Sequence, residues 1–320
     1  MAKLPKIEGR VWIGPEIVNL DELDGKVILV DFWTYSCVNC LRTLPYLREW
    51  YRKYKDEGLV IIGIHAPEFE FEKDPKNVEA AIKKYNVTWP VLLDNEHLNW
   101  ENFANEFWPA KYLADGKGNI VYAHSGEGAY SETEHKIREL LGIKNPDENE
   151  AWEKEAHMHH SEKCGIATPE TYCGYLRGWI GNQLGYAEDT EESYKQDENS
   201  DEGKIQLNGP FFAAGEYVES RAPNANISLA CHGTEINLVL SRSGKNDAVV
   251  DILWNGKPLP KDIRAGDVAE DGTVTISHSG LYHLMKAEKE MSGVIEVRAK
   301  TGNFRAYAFT FSGCVGSISP

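Results

Sequence analysis

No stretch of this chain of 320 residues stays apolar for the roughly 18 residues that a membrane-spanning helix needs. Its opening, MAKLPKIEGRVWIGPE, has no apolar core of the signal-peptide kind. As written, the chain therefore reads as a protein free of the bilayer, and as extracytoplasmic if a leader or membrane portion precedes it. Basic residues are in deficit, with 34 Lys and Arg against 50 Asp and Glu and a net charge of −16. That balance argues against nucleic acid and anionic membrane surfaces as partners. Cysteine is scarce: there are six, and only one Cys-x-x-C pair. A structural zinc site built on such a pair needs a second pair of ligands, and no second Cys-x-x-C is present. The acidic run Ala187–Gly203 holds eight acidic residues and one lysine, but lacks the regular D-x-D-x-D-G spacing of a calcium loop. It reads as a solvated, mobile loop. Neither a metal nor a cofactor is called for.

What is present is ordinary globular material, 42% hydrophobic and 26% charged, in a chain long enough for two domains. Within it, Phe32–Cys40 (FWTYSCVNC) places Cys37 and Cys40 straight after an apolar strand. The first cysteine then lies at a helix N-terminus, where unpaired N–H groups and the helix dipole stabilise a thiolate. A thiolate is the species that attacks a disulfide. The second lies one turn on and can close an internal disulfide.

The surroundings suit that chemistry. Lys26–Trp33 (KVILVDFW) reads as a strand buried on both faces. Asp31 interrupts it, and a carboxylate there is expensive without a partner or a task. Leu44, Leu47, Trp50, Tyr51 and Tyr54 follow at helical spacing, with Pro45 inside the helix as an expected kink. Leu59–Ala66 is a second buried strand, Asn77–Tyr85 a helix and Pro90–Asp94 a short strand. Trp100–Glu106 reads as helical, Ala110–Ala114 with Ile120–His124 as a hairpin, and Thr133–Leu141 as a closing helix. From about Gly203 the character changes. Eight alternating runs (Glu216–Ser220, Ile227–Cys231, Glu235–Ser241, Ala248–Trp254, Val274–His278, Leu281–Lys286, Val294–Ala299, Arg305–Phe311) are separated by turn residues, the pattern of an antiparallel β-sandwich. The predicted architecture is an α/β domain over residues 1–142, a polar linker over 143–167 and an all-β sandwich over 168–320.

Particular motifs make the first part more specific. WTYSCVNC, GIHAPEFEFEK (Gly63–Lys73), WPVLLDNE, FWPAKYLADGKG (Phe107–Gly118) and GEG (Gly126–Gly128) resemble the thioredoxin-like domain of the TlpA/ResA class. The resemblance is closest to the soluble part of DipZ-type proteins. It continues more thinly through TPETYCGY and AYAFTF. It implies that Cys37 attacks and Cys40 resolves, and that Asp31 is the buried carboxylate assisting proton transfer at the resolving thiol. It also implies that Trp108–Pro109 is the cis-proline loop that sits against the disulfide. Val38-Asn39 between the cysteines departs from the Gly-Pro of thioredoxin and leaves redox direction open. Glu68 falls where TlpA-like proteins often carry an acidic residue near the active site, but reads rather as a solvated loop glutamate. The resemblance further implies a sandwich similar to carbohydrate-binding modules and, in DipZ-type proteins, a membrane-embedded electron-transfer partner.

The remaining candidates are plainer. His65 and His124 sit at strand ends and read as structural. His157, His159, His160 and Cys164 form a polar cluster that reads as linker rather than metal site. Cys164, Cys173, Cys231 and Cys314 permit three pairings or remain reduced. Tyr217, Trp254, Tyr282 and Tyr307 are the aromatics a sugar platform would need, although strand aromatics usually belong to a core. The P-x-x-x-T-x-x-C setting of peroxiredoxins and the C-x-x-x-C of copper-handling relatives are absent. The function expected is thiol–disulfide exchange with protein thiols and disulfides through Cys37, Cys40, Asp31 and Pro109, with the sandwich as a docking module. The alternative is a redox-silent glycan- or partner-binding protein on the same scaffold.

Overall fold

The computed structural model describes residues 2–15, 17–144, 165–197 and 201–313. The expectations for His157, His159, His160, Cys164 and Cys314 lie outside them. The chain forms two compact units, divided near residue 160. Among the described residues no helix is long and apolar enough to cross a membrane.

The first unit holds β1 (Trp12–Ile13), β2 (Val27–Trp33), α1 (Val38–Tyr54), β3 (Leu59–His65), α2 (Pro75–Lys84), β4 (Val91–Leu93), α3 (Leu98–Asn102), β5 (Ala110–Ala114), β6 (Ile120–Ser125) and α4 (Tyr130–Leu140). Sheet order is β1-β4-β3-β2-β5-β6. The strands β2, β3 and β4 run parallel, β5 runs antiparallel to β2, and β6 runs antiparallel to β5. Every residue of β2 is buried, as expected of a central parallel strand covered on both faces. Helix α1 continues through Pro45 and buries Leu41, Leu44, Leu47, Trp50 and Tyr54. Helix α2 begins where Asp74 caps it, its side chain accepting from Lys76 N, with Pro75 in the first turn, where a missing N–H costs nothing. The site is set by β2: its C-terminal end leads through Thr34–Ser36 into α1, with β3 on one side and β5 on the other.

The second unit is all β: β7 (Thr171–Tyr172), β8 (Glu191–Tyr194), β9 (Ile205–Ala213), β10 (Val218–Ser220), β11 (Asn226–Arg242), β12 (Ala248–Trp254), β13 (Lys257–Pro258), β14 (Thr273–Ile276), β15 (Gly280–Thr301) and β16 (Phe304–Ser312). These ten strands pair antiparallel in one sheet. Two pairs of short runs read separately in the sequence are single long strands here. Ile227–Cys231 and Glu235–Ser241 both lie in β11, joined across an irregularity between Gly233 and Glu235. Leu281–Lys286 and Val294–Ala299 both lie in β15. The acidic run also departs from the expected loop. It contains β8, paired to β9 and anchored by buried Tyr194, with Glu191, Glu192 and Ser193 turned to solvent. An edge strand carrying charge on its outer side discourages pairing with another chain. One end of β11 pairs with β9 and the other with β16, while β10 joins β9 to β16, so the ladder closes on itself.

Candidate active site

Cys37 is the N-cap of α1, with an extended backbone (φ −81°, ψ 111°), and its sulfur accepts from Cys40 N–H at 3.2 Å. This is the capping position at which side-chain acceptors satisfy a helix's unpaired donors. Both thiols are free; Cys37 is half-buried and Cys40 fully buried. One cysteine is therefore open in part to solvent and the other is not. Burial, and then the hydrogen bond and charge of Cys37, push the Cys40 thiol well up from its ordinary range; a backbone hydrogen bond from Thr34 acts in the opposite sense.

Asp31 exposes none of its surface. In register opposite it on β5 stands Lys111, equally buried, with Nζ 3.8 Å from Oδ1. At that separation the two attract as ions without a direct hydrogen bond, and neither Asp31 oxygen has a hydrogen-bond partner among the described residues. Burial pushes the Asp31 carboxyl up to about 6, against the opposing pull of Lys111. Asp31 in turn acts on Cys40, its charge contributing to the raised thiol. Sequence reading found the carboxylate but not its cation. Lys111 sits in a hairpin strand, where a lysine ordinarily reads as solvent-facing.

The Trp108–Pro109 peptide bond is cis. Pro109 precedes β5, and its carbonyl accepts from Gly126 N–H at 2.7 Å. The Trp108 indole donates to Ala66 O at 3.0 Å and packs on Trp100 with ring centroids 4.1 Å apart. Phe107 is 52% exposed, leaving an aromatic side chain at the surface of this loop. Arg42, from α1, pairs with Glu127 at 3.3 Å.

A second buried carboxyl lies under the same turn. Glu68 is half-buried at the rim, whereas Glu72 is wholly buried. Thr34 Oγ1 and Ser36 Oγ each donate to Glu72 Oε1 at 2.5 Å, and Ser36 N–H to the same oxygen at 3.3 Å. The N–H groups of Glu68 and Phe69 donate to Oε2 at 2.5 and 3.0 Å. Burial, reinforced by the charge of Glu68, pushes the Glu72 carboxyl up to about 7, against these hydrogen bonds. His65, at the end of β3, is also fully buried. Its Nε2 is 3.4 Å from Thr34 Oγ1, and its ring stacks on Tyr35 at 5.6 Å. Because the Thr34 hydroxyl already donates to Glu72, the ring proton belongs on Nε2. Burial drives His65 down to about 3, so it is neutral.

Residues 3–141 match the family model described as Redoxin, and residues 168–312 the model described as Thioredoxin like C-terminal domain. The first unit is a thioredoxin-like domain. The chain is 32% identical to Protein DipZ of Mycobacterium bovis over 301 residues, which is 93% of this chain and 40% of that protein. Thiol-disulfide oxidoreductase YkuV of Bacillus subtilis is 27% identical over 139 residues, 43% of this chain and 93% of that protein. Thiol-disulfide oxidoreductase ResA of Halalkalibacterium halodurans is 27% identical over 132 residues, 41% of this chain and 70% of that protein. The chain thus spans well under two thirds of the DipZ protein it matches along most of its own length, and most of the length of the two shorter relatives.

Of the other sequence candidates that the structure describes, His124 lies in the first unit and the rest in the second. His124 is half-buried, with Nε2 3.3 Å from Glu127 O. Cys173 and Cys231 are free and buried. Among the sandwich aromatics, Trp254, Tyr282 and Tyr307 are core, only 7%, 3% and 3% exposed. Tyr217 is half-buried, 5.3 Å from Tyr307, with the Arg305 guanidinium over its ring. Among the described residues no group of three or more His, Cys, Asp and Glu is arranged to hold a metal ion.

Proposed function

We propose that this protein is a thiol–disulfide oxidoreductase acting on protein thiols and disulfides, with Cys37 as nucleophile, Cys40 as resolving thiol, Asp31 as proton acceptor and Pro109 shaping the substrate face. The observation that carries the reading is the stacking of roles in depth. A half-buried Cys37 caps α1, Cys40 is fully buried, and the buried Asp31–Lys111 pair lies within reach of Cys40's charge.

In the reducing direction, the Cys37 thiolate attacks one sulfur of a substrate disulfide. A Cys37–substrate disulfide forms and the other substrate sulfur leaves as a thiolate, which takes a proton. Cys40 then gives its proton to the Asp31 carboxylate and attacks Cys37 Sγ. The Cys37–Cys40 disulfide forms and the second substrate thiolate departs. Two electrons pass from the dithiol to the substrate, and an external dithiol must restore the pair. In the oxidising direction the steps reverse. A carboxyl near 6 accepts a proton from a neighbouring thiol at neutral pH without holding it permanently, and Lys111 stabilises the ionised form that does so.

The second unit, in this reading, positions the partner and takes no part in the sulfur chemistry. A membrane-embedded electron carrier is the partner suggested by likeness to DipZ. The decisive experiment is reduction of a protein disulfide by the reduced protein. Stoichiometric turnover lost in Cys37→Ser, with a trapped mixed disulfide in Cys40→Ser, is expected. Full activity in either variant would refute the assignment.

A further inference from the structure

The residues leading into the cysteine pair are held from below by one carboxyl. Glu72 lies four residues beyond Glu68 in the turn Glu70–Lys73, far from the cysteines in sequence. Its two oxygens receive five donors, three from the segment before Cys37 and two from its own loop. A carboxylate with donors on both oxygens is favoured in its ionised form. Burial opposes that and raises the group to about 7. On Oε2 both donors are backbone N–H groups, which cannot accept, so this cradle fits the carboxylate better than the acid.

The donors bracket both sulfurs. Ser36 immediately precedes Cys37, and both its hydroxyl and its N–H are bound to Glu72. Thr34, whose hydroxyl is bound to the same oxygen, is also the residue whose backbone favours the Cys40 thiolate. Thr34 and Ser36 are themselves fully buried, so no competing contact with solvent fixes them.

We propose that Glu72 is a positioning residue for the dithiol: through Thr34 and Ser36 it holds the turn that aims Cys37 outward and keeps a backbone donor on Cys40. The proposal rests on the reading of Cys37 and Cys40 as the reacting pair. Glu72 does not touch substrate and transfers no proton. Its effect is on the balance between dithiol and disulfide, since the turn it holds keeps Cys37 Sγ on the Cys40 N–H at the cap of α1, a bond offered to the reduced sulfur. Replacing the carboxylate by an amide turns an NH2 group toward donors on one side or the other. The turn is then released on that side.

The test is the equilibrium constant of the full-length protein with glutathione at pH 8, read from the fraction of Cys37–Cys40 disulfide at fixed ratios of reduced to oxidised glutathione. Glu72→Gln is expected to shift the equilibrium threefold or more toward the protein disulfide. Ser36→Ala, a milder change that removes one hydroxyl donor, is expected to shift it in the same direction by twofold or more. Melting temperature is followed alongside, because a purely structural cap would lower it and leave the constant unmoved. Smaller shifts, or shifts of opposite sign, overturn the proposal, and if Glu72→Gln does not fold the Ser36→Ala result decides alone. A parent protein that exchanges nothing with glutathione overturns the reading of the pair, and the proposal with it.

Discussion

Asp31 and Lys111 face one another across neighbouring antiparallel strands, Oδ1 and Nζ 3.8 Å apart, and neither side chain reaches solvent. Taking two ions out of water is costly, and their attraction does not by itself repay it. That Asp31 remains raised to about 6 despite the lysine shows which effect wins: desolvation exceeds the pairing. The carboxylate is therefore poised to accept a proton instead of being locked in its charged form.

Asp31→Asn is expected to fold and to form the mixed disulfide at the parent rate, but to resolve it more slowly at pH 7, by on the order of a hundredfold, as removal of a proton acceptor does. The parent resolution rate should rise through about pH 6, following ionisation of Asp31, and the variant should lose that inflection. Stopped-flow measurement of mixed-disulfide decay against pH checks both. An unchanged rate would make Asp31 a core residue only.

The two sulfurs should separate cleanly in reactivity. Cys37 is accessible, whereas Cys40 is buried and held in the thiol form by its surroundings. Iodoacetamide on the reduced native protein at pH 7 is expected to label Cys37 at least tenfold faster than Cys40, Cys173 or Cys231, as read by peptide mass spectrometry. Preferential labelling of Cys40 would reverse the assigned roles.

His65 predicts a specific form of acid sensitivity. Its folded value lies near 3 against 6.5 when unfolded, so the unfolded chain binds the extra proton first. Stability should therefore fall as pH drops from about 6.5 toward 3, by at most about 5 kcal/mol from this group. Asp31 and Glu72 act in the opposite sense, their raised carboxyls costing stability as pH rises through about 4 to 7. The informative quantity is therefore the difference between parent and His65→Gln. The variant should be less stable at pH 7, from lost stacking on Tyr35, with the gap narrowing as pH falls. Urea midpoints at several pH values measure it, and a constant gap would refute it.

Residues 1–142 are expected to fold alone and to reduce insulin at close to the parent kcat when given a chemical reductant. Every residue assigned to the chemistry lies in the first unit, and its sheet has helices of its own with which to cover its faces. For a native partner that the second unit helps to bind, KM should rise with little change in kcat. Circular dichroism with steady-state turnover tests this. A folded but inactive fragment would place part of the site in the second unit.

Much of the site was legible because local pattern determined it. A buried strand running into Cys37 requires no knowledge of distant contacts, and Asp31 stood out as a charge in an apolar run. Lys111 and Glu72 escaped because their burial depends on tertiary placement. Lys111 is turned inward by register with Asp31, which an unpartnered buried aspartate could have hinted at. Glu72 was hidden among the alternating acids and aromatics of PEFEFEK. Only the tight turn there decides which glutamate points inward, although the hydroxyls of Thr34 and Ser36 signalled a missing acceptor. In the second unit, Cys231–Thr234 carried no turn signal strong enough to break β11, and the irregularity there bends a continuous strand instead. Strand β8 was masked by its charge, with only Tyr194 marking a buried side.

Because β11 shares hydrogen bonds with β9 at one end and β16 at the other, and β10 completes the circuit, these four strands lack the open rim from which a sheet usually frays. Losing any one of them breaks the ring for all. Native-state amide exchange along residues 226–242 should therefore report a single cooperative opening, and this portion of the molecule should resist strand-to-strand aggregation even while its ends unravel.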